Sequence, residues 1–212
     1  MDTTWKYNPV KILIMALIVS LCLPVNGSSQ ESKENKDKSL NAANIEEPLE
    51  HTKARWRKAM QPSPENLKNL GNVYGLEFDV FEGENRNVYG VDIAGIFATT
   101  INDVTGIQTG GVTSVTMGTM TGAQISGLLN LAGKTKGIQI SGLGNFVEKK
   151  LTGIQASVFS NRADQVKGMQ IGISNNCKKM KGVQIGLFNR IDNGILPFFP
   201  IINMNFSSRS EE

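Results

Sequence analysis

Apolar and polar residues begin to alternate at Val73, through Leu76-Glu77-Phe78-Asp79-Val80, and again from Val88 through Tyr89-Gly90-Val91-Asp92-Ile93. A period of two marks extended strand, and two such runs on either side of the polar stretch Glu82 to Asn87 predict a hairpin or a sheet edge. No later segment sustains a helical period. The pattern instead becomes a repeat. Seven segments open with glycine, at Gly90, Gly106, Gly122, Gly137, Gly153, Gly168 and Gly182, with intervals of 16, 16, 15, 16, 15 and 14 residues. The second position is always apolar: Val91, Ile107, Ala123, Ile138, Ile154, Met169 and Val183. The third reads Asp92, Gln108, Gln124, Gln139, Gln155, Gln170 and Gln184, and five units add an asparagine, at Asn130, Asn145, Asn161, Asn175 and Asn189. Self-similarity at this period predicts an all-β repeat architecture of seven units of 14–16 residues, each supplying one short strand.

Alternation divides each strand into two faces. In the unit opened by Gly182, Val183, Ile185 and Leu187 share one face, with Gln184, Gly186 and Phe188 on the other. The apolar face is the expected core, so an aspartate at Ile140, Ile171 or Ile185 is expected to bury an unpaired charge and cost several kcal/mol. Gly142 is expected to form a bulge or corner that returns Leu143 to the core, and the recurring asparagine suits a left-handed corner.

Two architectures accommodate such units. A β-solenoid stacks them as parallel rungs about 4.8 Å apart, with glutamine over glutamine and asparagine over asparagine. An antiparallel meander, closed into an outer-membrane barrel, would use strands of about ten residues, and the closing alternation Ile202-Met204-Phe206 fits the end of one. The repeats after Gly90 contain no Trp and no Tyr for the aromatic girdles of a barrel. Uniform connectors also favour rungs, so the solenoid is the preferred reading and the barrel the alternative.

The flanks differ in kind. Lys6 and Lys11 precede the apolar run from Ile12 to Leu23, and Pro24 breaks it before Val25-Asn26-Gly27. This predicts a signal peptide over residues 1–27, because the run falls short of the roughly 20 residues a spanning helix needs. Cys22 is a candidate lipidation site, although Leu21 occupies the place where a lipoprotein signal normally carries a small residue. Residues 28–68 read as a flexible charged linker, including a transient helix from Leu49 to Met60 with the cluster Arg55-Trp56-Arg57-Lys58. The β repeat domain spans 69–206, followed by a polar tail, 207–212.

Composition narrows the chemistry. With 212 residues and a net charge of +3, the chain is neither a large multidomain enzyme nor a strongly basic nucleic-acid binder. Removal of the leader leaves Cys177 alone, so no intrachain disulfide forms, and the single His51 excludes the usual zinc and Ser-His-Asp constellations. Asp92, Asp103, Glu148, Asp164 and Asp192 fall at different places in their units, and no Gly-Gly-x-Gly-x-Asp calcium repeat occurs. No catalytic, cofactor-binding or metal-binding residue is therefore assigned, and the expected protein is not an enzyme.

Positive charge is placed in the connectors. Lys136, Lys167 and Lys181 immediately precede the glycine of their unit, and Lys134, Lys149, Lys150, Lys178 and Lys179 lie in the same connectors. Stacking would line them along one edge. From residue 90 to 206 there are ten Lys/Arg against five Asp/Glu. This predicts a polyanion-binding edge of Lys136, Lys149, Lys150, Lys167, Lys178, Lys179 and Lys181, taking an anionic glycan, a lipid headgroup or a host polyanion. The competing use is solvation, since edge lysines also discourage sheet-to-sheet aggregation.

Gly168-Met169-Gln170-Ile171-Gly172-Ile173, Gly182-Val183-Gln184-Ile185-Gly186-Leu187-Phe188-Asn189 and the closing Asn193-Gly194-Ile195-Leu196-Pro197-Phe198-Phe199-Pro200-Ile201-Ile202-Asn203 carry a resemblance. Over residues 88–206 the chain resembles the surface-repeat protein family of Leptospira-type spirochaetes, whose members are exported and often lipoproteins. The resemblance implies a cell-surface, outer-membrane or periplasmic location and no activity. Asp92, Thr109 and Ala156 depart from the usual residues of the repeat.

Overall fold

The computed structural model describes residues 70–206. The expected leader with Cys22, the linker and the polar tail lie outside the described residues. Between them the chain winds into a parallel β-solenoid of about eight turns. One face of each coil is formed by β1 (Asn72–Asp79), β3 (Asn87–Ala94), β5 (Val104–Gly110) and the later parts of β6 (Thr113–Ser126), β7 (Leu129–Ser141), β8 (Gly144–Ser157), β9 (Ser160–Ile171) and β10 (Ser174–Ile191). The opposite face begins with β2 (Glu82–Asn85) and β4 (Phe97–Thr100) and continues through the opening residues of β6 to β10. Every one of these pairings is parallel. The final strand, β11 (Phe198–Asn205), lies antiparallel on β10.

The register explains the spacing of the repeat. Gly90 pairs with Gly106, Gly106 with Gly122 and Gly122 with Gly137, and the residues two positions later stack in the same way, Asp92 on Gln108, Gln108 on Gln124 and Gln124 on Gln139. The glycines are required twice over. Gly137 has φ 139°, a region essentially reserved for glycine, and an added Cβ there would lie 1.9 Å from the carbonyl oxygen of Gly122. An eighth unit precedes the seven, opened by Gly75 at φ 99° and paired with Gly90.

Several expectations are corrected. Of the hairpin and sheet-edge readings of the runs around Val73 and Val88, the hairpin is wrong and the edge is right: β1 is the edge strand, parallel to β3, and the polar stretch between them supplies β2 on the other face. Each unit contributes two strand segments rather than one, because a coil needs both faces to enclose an interior. The barrel alternative and the meander fall with the parallel pairing, and the closing Ile202-Met204 alternation belongs to the strand that covers the last coil.

The largest correction concerns which face is inside. Ile138 and Ile140 point outward and Gln139 inward, with the glutamine wholly buried and Ile140 46% exposed. Alternation specifies two sets of residues but not which set is enclosed. Here stacking decides, because an in-register coil offers each glutamine an identical amide one rung away. Gln184 donates to Gln170, which donates to Gln155, then Gln139, Gln124 and Gln108, at 2.7–3.0 Å. A buried amide without partners would cost about 1–3 kcal/mol, so the ladder removes the usual penalty for an interior of this kind.

A second ladder runs in the opposite sense. Asn130 donates to Asn145, Asn145 to Asn161, Asn161 to Asn175 and Asn175 to Asn189, at 2.8–2.9 Å. Each of the four donors also bonds a backbone carbonyl, of Ile140, Ala156, Ile171 and Ile185 respectively. These asparagines are therefore interior ladder residues, and none has the positive φ of the expected left-handed corner. Gly142 does sit at a corner, where its N–H bonds Gly127, but Leu143 stays half-buried there instead of entering the core.

Apolar columns complete the interior. Val88, Val104, Met120, Leu151, Val166 and Met180 stack in register, with Thr135 interposed between Met120 and Leu151. Ala132, Val147, Ala163 and Cys177 form another column from the opposite face. Cys177 is a buried small side chain, and burial pushes its thiol up to about 12, with the charge of Asp192 adding to the effect.

Candidate functional site

Stacking brings the connector lysines together. Lys136, Thr152, Lys167 and Lys181 occupy one column, and Lys134, Lys150, Gln165 and Lys179 occupy another beside it. Lys167 and Lys181 are on adjacent rungs, roughly 5 Å apart along the axis, whereas Lys136 and Lys167 are separated by about two such steps. Lys149 adjoins Lys150 in the chain where the register shifts between β8 and β9, and Lys178 pairs with Asp164 at 3.3 Å. All seven predicted lysines are exposed, but they lie within β7 to β10 on the later coils rather than in connectors between strands.

Charge is graded along the solenoid. From residue 70 to 130 the acids Glu77, Asp79, Glu82, Glu84, Asp92 and Asp103 face a single basic residue, Arg86. From 131 to 206 the ten Lys/Arg outnumber Glu148, Asp164 and Asp192. The earlier coils therefore carry negative charge and the later coils positive charge.

The lysine columns border the outward apolar face. Lys136 precedes Ile138 by two residues, and Ile138 stacks between Ala123 and Ile154. A second outward column includes Ile125, Ile140, Ile171 and Ile185, 37–46% exposed. Each isoleucine shelters its neighbours on the rungs above and below, which limits the cost of leaving the face in water. The face continues to Leu76 and Phe78 at one end and to Ile202 and Met204 at the other. A contiguous apolar surface on this scale is the usual mark of an interaction surface.

The glutamine ladder ends on acid. Gln108 donates to Asp92 Oδ2 at 3.2 Å and to Thr100 at 2.9 Å. Asp92 is fully enclosed, stacks with Glu77 of the preceding coil, and lies close to Asp79; one carboxylate oxygen from each of the three falls within 4.8 Å of the others. Burial pushes Asp92 up to about 6, against the lowering effect of the Gln108 hydrogen bond, while the charges of Glu77 and Asp79 push it further upward. Asn85 donates to Glu77. Asp92 Oδ1 and Asp79 Oδ2 are buried without a hydrogen-bond partner.

This carboxylate group was not legible from units counted from Gly90. The signal is the preceding Gly75, whose third position is Glu77, with Asp79 two residues later. Acid then occupies the glutamine position in two successive coils. Among the described residues it is the one cluster of His, Cys, Asp or Glu side chains with metal-binding geometry. No helix among these residues is long and apolar enough to cross a membrane.

In comparisons with known proteins, no family model, no curated protein and no solved structure matches the chain.

Proposed function

We propose that the chain is an exported, noncatalytic envelope protein whose solenoid binds a polyanionic surface through its lysine edge. The observation that carries this reading is the pair of stacked lysine columns along the later coils. Repetition converts widely spaced lysines into a linear array, and such an array gains attraction from many weak contacts rather than one tight site. The isoleucine face beside it favours an anionic lipid surface over a free glycan, because apolar side chains can enter the boundary of a bilayer while lysines meet its phosphates. The leader-like segment and the resemblance to spirochaete surface-repeat proteins support a location at the cell surface, outer membrane or periplasm.

The test is cosedimentation of the full mature chain with phosphatidylglycerol vesicles, phosphatidylcholine vesicles and heparin. Binding to the anionic vesicles, weakened by salt and by the combined substitutions Lys136→Gln, Lys167→Gln and Lys181→Gln, supports the proposal. Binding to heparin alone would move the partner to a glycan. No binding, or binding unchanged in the triple variant, would leave the lysines as solubilising residues.

A further inference from the structure

We propose that Glu77, Asp79 and Asp92 bind a calcium-class divalent cation in the first coils of the solenoid. Their three ligand oxygens lie within 4.8 Å of one another. An enclosed cage of protein carboxylates suits calcium, whereas magnesium dehydrates reluctantly and usually keeps several waters. An all-oxygen donor set also disfavours the softer metals that prefer imidazole or thiolate.

Two observations point to a ligand beyond the grouping of acids. Asp92 is completely buried, yet its Oδ1 has no hydrogen-bond donor, and the buried Oδ2 of Asp79 has none either. Both atoms converge on space that Gly83 leaves open: a Cβ at Gly83 would lie 2.5 Å from Asp79 Oδ2 and 3.5 Å from Asp92 Oδ1. Gln108 donates to Asp92 Oδ2, and the Asn85 amide donates to Glu77 while lying close enough to Asp92 to favour its charge. Unpaired buried carboxylate oxygens are expensive, and a cation placed between them satisfies both. Repeat folds need special terminal units, and a bound ion would close the acidic end of the glutamine ladder much as β11 covers the other end of the solenoid.

The experiment is calorimetric titration of Ca2+ into the chelator-treated full mature chain, with denaturant melts in Ca2+ and in chelator. One Ca2+ should bind per chain, Mg2+ should bind more weakly, and the unfolding midpoint should be higher in Ca2+. Asp92→Asn, which keeps an acceptor for Gln108, and Gly83→Ala, which fills the open space, should abolish the binding heat. Should Asp92→Asn fail to fold, Glu77→Gln at a half-buried position makes the same test. The lysine triple variant should retain Ca2+ binding, which separates this site from the polyanion edge. Absence of heat and of a midpoint shift in the unmodified chain would overturn the proposal and leave a proton shared among the carboxylates. Identical titrations of the unmodified chain, Asp92→Asn and Glu77→Gln would overturn it by placing the ion elsewhere.

Discussion

Gln139 and Ile140 are neighbours in the chain and opposites in environment: the amide is wholly enclosed, while the hydrocarbon is nearly half exposed. The same inversion recurs in other coils, between Gln124 and Ile125 and between Gln170 and Ile171. In an ordinary domain the apolar residue is enclosed because water is its worst neighbour. In an in-register stack the deciding quantity is what lies one rung away. Gln139 meets Gln124 and Gln155 at hydrogen-bonding distance, so its burial costs little. Ile140 meets Ile125 and Ala156, which cover part of it without enclosing it.

The inversion is tested most severely from within. Gln139→Glu replaces the amide that donates to Gln124 with a carboxylate oxygen facing Gln124 Oε1, while Gln155 still donates to the other oxygen, so the loss of stability should be about 3–5 kcal/mol in urea melts at neutral pH. A loss similar to that of a surface charge change would break the assignment of Gln139 to the interior. Gly137→Ala should cost roughly 3 kcal/mol, because its φ of 139° is strained for alanine and the new Cβ would meet the Gly122 carbonyl. Unchanged stability there would contradict the close stacking of the rungs.

Cys177 sharpens the comparison through pH. Its folded thiol is pushed up to about 12 from an ordinary value of 9.0. The unfolded chain therefore releases this proton first, and the contribution to stability is present below about pH 9 and declines as pH rises toward 12. By pH 10 the loss attributable to this group is on the order of 1 kcal/mol. Subtracting the pH dependence of a Cys177→Ala variant isolates it, and identical slopes in both chains would show that the thiol is not enclosed. The smallest effect is expected outside. Ile140→Asp should change stability by no more than about 1 kcal/mol in water while weakening binding to anionic vesicles. A loss comparable to that of Gln139→Glu would restore the isoleucine face to the core.

The repeat was legible because glycine, glutamine and asparagine recur at fixed offsets, and parallel stacking of identical rungs is the arrangement that makes use of such recurrence. Stacking of Gln over Gln and the lysine edge followed from the same register. The facing of the strands did not, because period-two alternation is unchanged when inside and outside are exchanged. The usual tie-breaker, that hydrocarbon is enclosed, fails where Gln108 through Gln184 bond one another, leaving Oε1 of the terminal Gln184 as the ladder oxygen without a partner. The first coil was missed for a related reason: Glu77 breaks the glutamine column, and no glycine stands one repeat length before Gly75 to set its phase. The carboxylate group depends on that coil and disappeared with it.

The opposed ladders have a consequence for how such a chain can change length. Amide hydrogens point toward the first coil in the glutamine column and toward the last coil in the asparagine column. Each added unit thus brings two side-chain dipoles that largely offset each other, and the far ends experience little accumulated field. Duplication or loss of one whole unit is then close to a neutral event for its neighbours, whereas gain or loss of a fraction of a unit misaligns every column beyond it. A gene encoding this fold is free to vary by copy number in steps of one coil, and is strongly constrained against smaller steps.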